Sequence, residues 1–316
     1  MFEKLIQVGF ISRELDRILK SYTDIYNIGP WYILQFCPDN VKYMEVYGKR
    51  QDYAMNVAVC PIADIRFEYI EPVTTSIFSD FYDEYGEYAV HHLKLGGQDY
   101  KTSLDFLTSK NIKAIQSGHQ TGGEGTNTYT FMDTLKELGF ITEIVEVTSN
   151  FIKPEPEKWY PDEKKDFKPI FKKASMIGII VSNIEKKIKE YEKLEIGPWQ
   201  IIDFNKKGSS DLNSKIAFCK RENVILKLIQ PYPQSVFEKH LLKYGEGIHH
   251  IKMEVDNYRH ALEYLKSKGL NIIYSGKHLD EAEFSFIDTR KHLNFIVEIS
   301  EKKIASISQD YFIFHP

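Results

Sequence analysis

Hydrophobic and polar positions alternate along residues 5–11, which read LIQVGFI, and this period of two predicts a strand. Leu15, Ile18, Leu19, Tyr22 and Tyr26 then recur at helical spacing, predicting a helix over about 12–27 that Gly29-Pro30 stops. Further strands are expected near 31–36, 43–48, 53–60 and 64–71. The pattern then restarts with a strand at 89–95 and a helix near 100–111, where Tyr100, Leu104 and Leu107 stand at i, i+4 and i+7. Strands near 113–117, 127–132 and 140–147 complete the series. With one strand of the first unit surplus, these elements read as β-α-β-β-β twice.

The series then repeats. ASMIGII (174–180) follows LIQVGFI, and IGPW occurs at 28–31 and 196–199. FEYIEP (67–72) returns as LKLIQP (226–231), AVHHLKL (89–95) as GIHHIKM (247–253), and YTFMDT…GFITEIVE (129–146) as FSFIDT…NFIVEIS (284–300). The offset drifts only from 169 to 155, so one domain stands twice in tandem and the chain holds four units. The expected organisation is a first domain over 1–148, a Pro- and charge-rich linker over 149–170 that packs along a domain, a second domain over 171–302 and a tail over 303–316, whose YFIF is apolar enough to dock. Short meandering strands with one crossover helix per unit predict an α+β fold. Its mainly antiparallel sheet curls into a cup, with every second strand residue facing inward.

Composition adds limits more than content. The 316 residues are 42% hydrophobic and 27% charged, enough to bury a full core, and a net charge of −4 gives no reason to expect nucleic acid or an anionic membrane as partner. Residues 1–10 lack the basic and apolar regions of a secretory signal, and no apolar run approaches a membrane span. Cys37, Cys60 and Cys219 form no CxxC pair. Cys60 and Cys219, equivalent in the repeat, read as buried small hydrophobes, and a cytoplasmic location fits.

The copies differ where chemistry is possible. Gln7, Glu68, His92 and Glu143 of the first become Met176, Lys227, His250 and Glu298 in the second. The strand-opening QVGFI, the YAVHHLKL and GEGIHHIKMEVDN segments, the I-x-P strand ending and the terminal ITEIVE and FIVEIS strands resemble the vicinal oxygen chelate superfamily. The resemblance is nearest its methylmalonyl-CoA epimerase and glyoxalase I branch. It implies two βαβββ units per domain closing a metal-holding cup, with ligands from the first and fourth strands of each unit. Placed on this sequence, those ligands fall on Gln7, Glu68, His92 and Glu143. Such an oxygen-rich set suits one divalent ion (Zn, Co, Mn, Ni or Mg) in the N-terminal domain. The implied chemistry is an isomerase step, proton abstraction alpha to a carbonyl with a metal-stabilised enolate, on a small-molecule acyl-thioester or alpha-carbonyl substrate. Glu143 is the candidate base, and Asp52 a second, with Asp211 as its counterpart. Alternatives are a glyoxalase I-like lyase acting on a thiol hemithioacetal, and a non-catalytic small-molecule binding or resistance protein. A ring-cleaving dioxygenase fits less well, because such a site resembles two His and one carboxylate.

Each candidate also has a plain reading. Glu68 could pair with Arg66 on a solvent face. One His of each pair should point outward, which makes His91 structural. Lys227 should extend to solvent from a decayed site, or else pair with Glu298 and His250 in place of a metal. No metal is expected in the second copy. Trp31 and Trp199 read as packing anchors, and SGHQTGGEGTNT (117–128) as a flexible loop over the first cup, with His119 in it. An intramolecular pseudo-dimer is expected, with a homodimer possible.

Overall fold

The computed structural model describes residues 2–162, 165–204, 213–277 and 282–301, together with the backbone of 313–315. In the first half the order is β1 (Lys4–Ile11), α1 (Leu15–Asp24), β2 (Trp31–Phe36), β3 (Val41–Val46), β4 (Lys49–Arg50), β5 (Met55–Ile62), β6 (Ile65–Pro72) and α2 (Ile77–Tyr85). There follow β7 (Val90–Gly96), α3 (Tyr100–Ser109), β8 (Ala114–Gly122), β9 (Gly125–Met132), α4 (Leu135–Leu138), β10 (Ile141–Val147) and β11 (Lys158–Tyr160). The second half runs β12 (Lys173–Ile180), α5 (Ile184–Lys193), β13 (Trp199–Asp203), β14 (Ser214–Lys220), β15 (Ile225–Pro231) and α6 (Glu238–Tyr244). It continues with β16 (Gly247–Val255), α7 (Tyr258–Ser267), β17 (Ile272–Lys277), β18 (Glu283–Ile287), α8 (Arg290–Leu293), β19 (Ile296–Glu301) and β20 (Ile313–His315). Asp211, residues 278–281 and 302–312 lie outside the described residues.

Each half builds one curled sheet. The first has the order β11-β2-β5-β6-β1-β7-β10-β9-β8-β3-β4, the second β17-β18-β19-β16-β12-β15-β14-β13-β20. The two units of a half meet where their first strands pair antiparallel, β1 with β7 and β12 with β16. The surplus strand is β3. It leaves its own unit and pairs with β8 at the far edge, Val41 opposite Gln120 and Val46 opposite Gln116. Non-local pairing of this kind leaves no trace in local periodicity. The Gly-rich segment 117–128 is a hairpin and not a flexible loop, because β8 and β9 pair without interruption to Gly122 and Gly125. At Gly125 an added Cβ would fall 2.3 Å from the Phe151 backbone nitrogen, so the hairpin tip is packed shut on the chain that follows β10. His119 sits within it, its Nδ1 3.1 Å from Thr128 Oγ1.

Helices α1, α3, α5 and α7 cover the outer faces, while α2 packs on the inner face of the first sheet. Leu15, Ile18, Leu19 and Tyr22 of α1 pack on Val8, Phe10, Phe67 and Tyr69 of the sheet. Trp31 and Trp199 are fully buried, and Cys60 and Cys219 lie in the same core. That core is shared by both halves. Phe10 stacks on Phe295 with centroids 5.0 Å apart. Tyr191 Oη donates to Leu138 O (2.5 Å), and Tyr69 Oη, bonded to Tyr22, donates reciprocally to Leu293 O (2.6 Å). Part of the segment expected as a linker is structural, since β11 pairs with β2. In the second half β20 pairs with β13 in the same manner. No described helix is long and apolar enough to cross a membrane.

Candidate metal centre

Strand register places the candidate ligands on one inner face. Gln7 of β1 lies opposite Arg66 of β6 and Lys94 of β7, and Lys94 lies opposite Glu143 of β10. The next inward row is Glu68, Gly9, His92 and Ile141. Two adjacent rows at the junction of the units thus hold all four side chains. His92 Nε2 is 3.4 Å from Glu68 Oε1 and 3.6 Å from Glu143 Oε2. Gln7 Nε2 donates to Glu143 Oε2 (3.2 Å) and lies 3.5 Å from His92 Nε2. Ligand atoms of Glu68, His92 and Glu143 all fall within 4.8 Å of one another. Glu68 faces His92, and among the described residues no ion pair joins it to Arg66.

Gly9 makes this convergence possible. A Cβ there would stand 1.8 Å from His92 Cε1, so the imidazole lies directly on the β1 backbone. His91 does not face outward: both histidines are fully buried. The reason is an irregularity in the β1–β7 ladder, where Gly9 opposes His92 but Phe10 opposes Val90. The extra residue turns two consecutive side chains to one face, which strict alternation forbids. His91 packs against Phe78 and Phe81 of α2, a helix opened by a Ser76–Ser79 capping box, and its Nδ1 is 3.0 Å from His92 Nδ1. Burial, then the neighbouring His92, holds His91 well below the usual histidine range, so it is neutral. When His92 supplies the proton between the two Nδ1 atoms, its Nε2 turns a lone pair to the carboxylates.

These residues fit a divalent cation. Two carboxylates converge in a buried site, and burial raises the Glu143 carboxyl above its ordinary range, with Lys94 opposing and Glu68 reinforcing. A cation between them relieves that cost. Gln7 contributes by turning its amide oxygen inward, a half-rotation that leaves its shape nearly unchanged. Asp52 is placed elsewhere. It is 60% exposed and paired with Arg50 at 2.6 Å.

The second half replaces this arrangement with charges of its own. His250 Nε2 is 3.1 Å from Glu298 Oε2, with Lys227 Nζ at 3.9 Å and Lys252 Nζ 3.8 Å from Glu298 Oε1. Lys227 is 3% exposed and does not extend to solvent. β15 lies inside the sheet between β12 and β14, and Phe237 and Phe286 close over the adjoining His250, so the stem has no way out. Burial lowers its ammonium pKa, opposed by Glu298.

Beside it, burial, then Arg290 and His250, push His240 down to about 4, and burial takes His249 well below the normal range. Such groups take up protons more readily when unfolded. Stability is therefore expected to be level above about pH 6.5 and to fall toward pH 4, by up to about 1.4 kcal/mol per pH unit for each proton. Urea unfolding at pH 7, 6 and 5 measures this, and His240→Gln should flatten part of the slope. An unchanged midpoint across that range contradicts it.

The family model for the Glyoxalase/Bleomycin resistance protein/Dioxygenase superfamily matches residues 6–131 and again 176–286. The chain belongs to this superfamily. Its two matched stretches fall one in each half of the fold, and members of the superfamily are mostly enzymes. No curated protein matches the chain. A mutant of 4-hydroxymandelate synthase from Streptomyces coelicolor has a similar fold at 11% identity, with a TM-score of 0.63 over 97% of this chain and 94% of that one. Methylmalonyl-CoA epimerase from Mycobacterium tuberculosis is similar over 42% of this chain and 90% of its own, at 20% identity and a TM-score of 0.36.

Arg66 and Lys94 complete the wall beside the ligands. Sequence reasoning reached Arg66 only as a partner for Glu68 and did not single out Lys94. Lys94 stands two residues after His92, so the strand period alone would have placed it on the same face.

Proposed function

We propose that the first half is a divalent-cation-dependent isomerase of the epimerase type, which removes a proton from the carbon next to a carbonyl and returns it. The convergence of Gln7, Glu68, His92 and Glu143 at the junction of the two units carries this proposal. A cation held by these four groups supplies Lewis acidity, which lowers the cost of negative charge developing on the substrate's carbonyl oxygen. Glu143 moves the proton. Its carboxylate stands within the cluster, 3.6 Å from His92 Nε2, beside any carbonyl that the cation would hold. His91 fixes the ring of His92. Tyr129, Phe131 and Val59 line the same face and exclude water from the developing charge. Asp52, exposed and paired with Arg50, has no part in this mechanism.

The substrate implied by the sequence resemblance is a methylmalonyl-CoA-like acyl-thioester. Gln7 at the first-strand position favours a second reading, a glyoxalase I-like lyase on a thiol hemithioacetal. Exchange of the alpha hydrogen in deuterated water separates the two. The cation-loaded protein is expected to exchange the alpha position of a methylmalonyl, propionyl or acetoacetyl thioester, followed by mass spectrometry. Glu143→Gln should slow this by about 100-fold or more. No exchange with any thioester, combined with turnover of a hemithioacetal, selects the lyase.

A further inference from the structure

The quartet is closed off by its own chain. His92 is fully enclosed, Gln7 and Glu143 are 3% and 7% exposed, and the Glu68 side chain is 14% exposed. The cover is α2, which lies in the cup. Its Ile77, Phe78 and Phe81 pack with Ile11, Ile70 and Ile141 of the inner face. Phe78 stands edge-on to Phe131, with centroids 5.2 Å apart, and Phe131 lies against the His92 ring at 5.0 Å. Side chains so enclosed leave a substrate no contact with a cation held between them while α2 stays docked.

Local features make α2 easy to release. Its nine residues are fewer than an isolated helix needs to hold in water. Its last turn carries Asp83 and Glu84 and no base, against the helix dipole. It adds no strand to the sheet, so lifting it leaves the β pairing in place. The fastenings at the rim are exposed ones, which contribute little. Tyr47 Oη donates to Asp80 Oδ2 (3.1 Å), and Arg13 pairs with Asp83 (2.5 Å) and lies 4.4 Å over the Tyr82 ring. The flanks, by contrast, are tied. Ala54 N donates to Thr74 Oγ1 (2.8 Å) before the helix, and Arg17 pairs with Glu87 after it. Between the helix and the second tie stands Gly86 at φ +77, where an added Cβ would meet nothing, so the backbone has room to turn.

The second half differs in this respect. None of the residues of α6 is buried, and the charges its cup holds are paired with one another. A helix that docks its apolar face into the cup therefore accompanies the quartet. We propose that α2 is a lid over the first cup. It swings about Gly86 to admit substrate and docks Phe78 and Phe81 again over the quartet, excluding water while the proton moves. The proposal rests on the functional reading above, which makes the quartet the reaction site.

Amide hydrogen exchange of the metal-free full chain, followed by mass spectrometry, tests the opening. Amides of residues 78–85 are expected to exchange about 100-fold faster or more than those of β7 and β10, in a local opening that leaves the sheet closed. Arg13→Ala combined with Tyr47→Phe should speed exchange in α2 by about threefold or more, with β7 unchanged. In the Co(II)-loaded chain the same double variant should release cobalt to excess EDTA faster by a similar factor, at unchanged stoichiometry. Exchange of α2 only together with β7, or cobalt release indifferent to the two substitutions, overturns the lid. If the unaltered chain holds no cobalt, the functional reading falls, and the exchange pattern, measured without metal, still decides for or against the opening of α2.

Discussion

Loaded with Co(II) and desalted, the unaltered chain is expected to retain about one ion, and His92→Ala to retain almost none. Changing a residue that merely supports a ligand costs 10- to 100-fold in metal affinity, so removing a ligand should cost about 100-fold or more. Glu143→Gln should lose a similar amount, because it exchanges a charged donor for a neutral one at a site where burial already concentrates charge. His250→Ala, in the second half, should change affinity less than about threefold. Mass-spectrometric metal analysis and the cobalt absorption bands supply the readout. Full cobalt retention by His92→Ala would remove the centre from this cup.

Gly9→Ala is expected to be as damaging as deleting the ligand itself. The new methyl would stand 1.8 Å from His92 Cε1 and 2.2 Å from its Nε2. The ring cannot retreat, because Phe131 lies edge-on with centroids 5.0 Å apart and His91 sits against its other nitrogen. Forcing a methyl group into such packing typically costs about 1–3 kcal/mol, and here it also moves a ligand. Gly178→Ala makes the same collision with His250, at 2.1 Å. A comparable drop in melting temperature is therefore expected in both variants, with cation binding lost only in the first. Equal cobalt affinity in Gly9→Ala and the unaltered chain would show that His92 is not fixed by this contact.

The duplication made the candidate site legible. Comparing positions 7, 68, 92 and 143 with 176, 227, 250 and 298 separated side chains the fold requires from side chains that vary, and strand period then put each on an inner face. The structure brings all four first-half residues together. What stayed hidden depended on departures from regularity or on partners distant in sequence. The doubled residue at His91 breaks the period of two, so alternation placed it outside when it lies inside. β3 reads like any strand, and only its partner across the cup shows that it belongs to the far edge. Lys227 looked able to reach water because a lysine stem is long. Its strand is interior and its Nζ stands 3.9 Å from Glu298, the alternative pairing that comparison of the two copies had offered. The Gly-rich stretch was read by composition as a loop, while cross-strand pairing made it a hairpin.

The edge strands bear on how the chain can be divided. β11 and β20 are separated by 155 residues, the same interval as the later motifs of the two halves, and each pairs with the strand after the first helix of its half. A fragment ending at residue 148, or a protein cut back to 301, would bare the backbone of β2 or β13. Open strand edges recruit other chains. Trimming to the recognisable repeat would thus turn a well-behaved protein into one prone to stick to itself, for reasons unrelated to the cups.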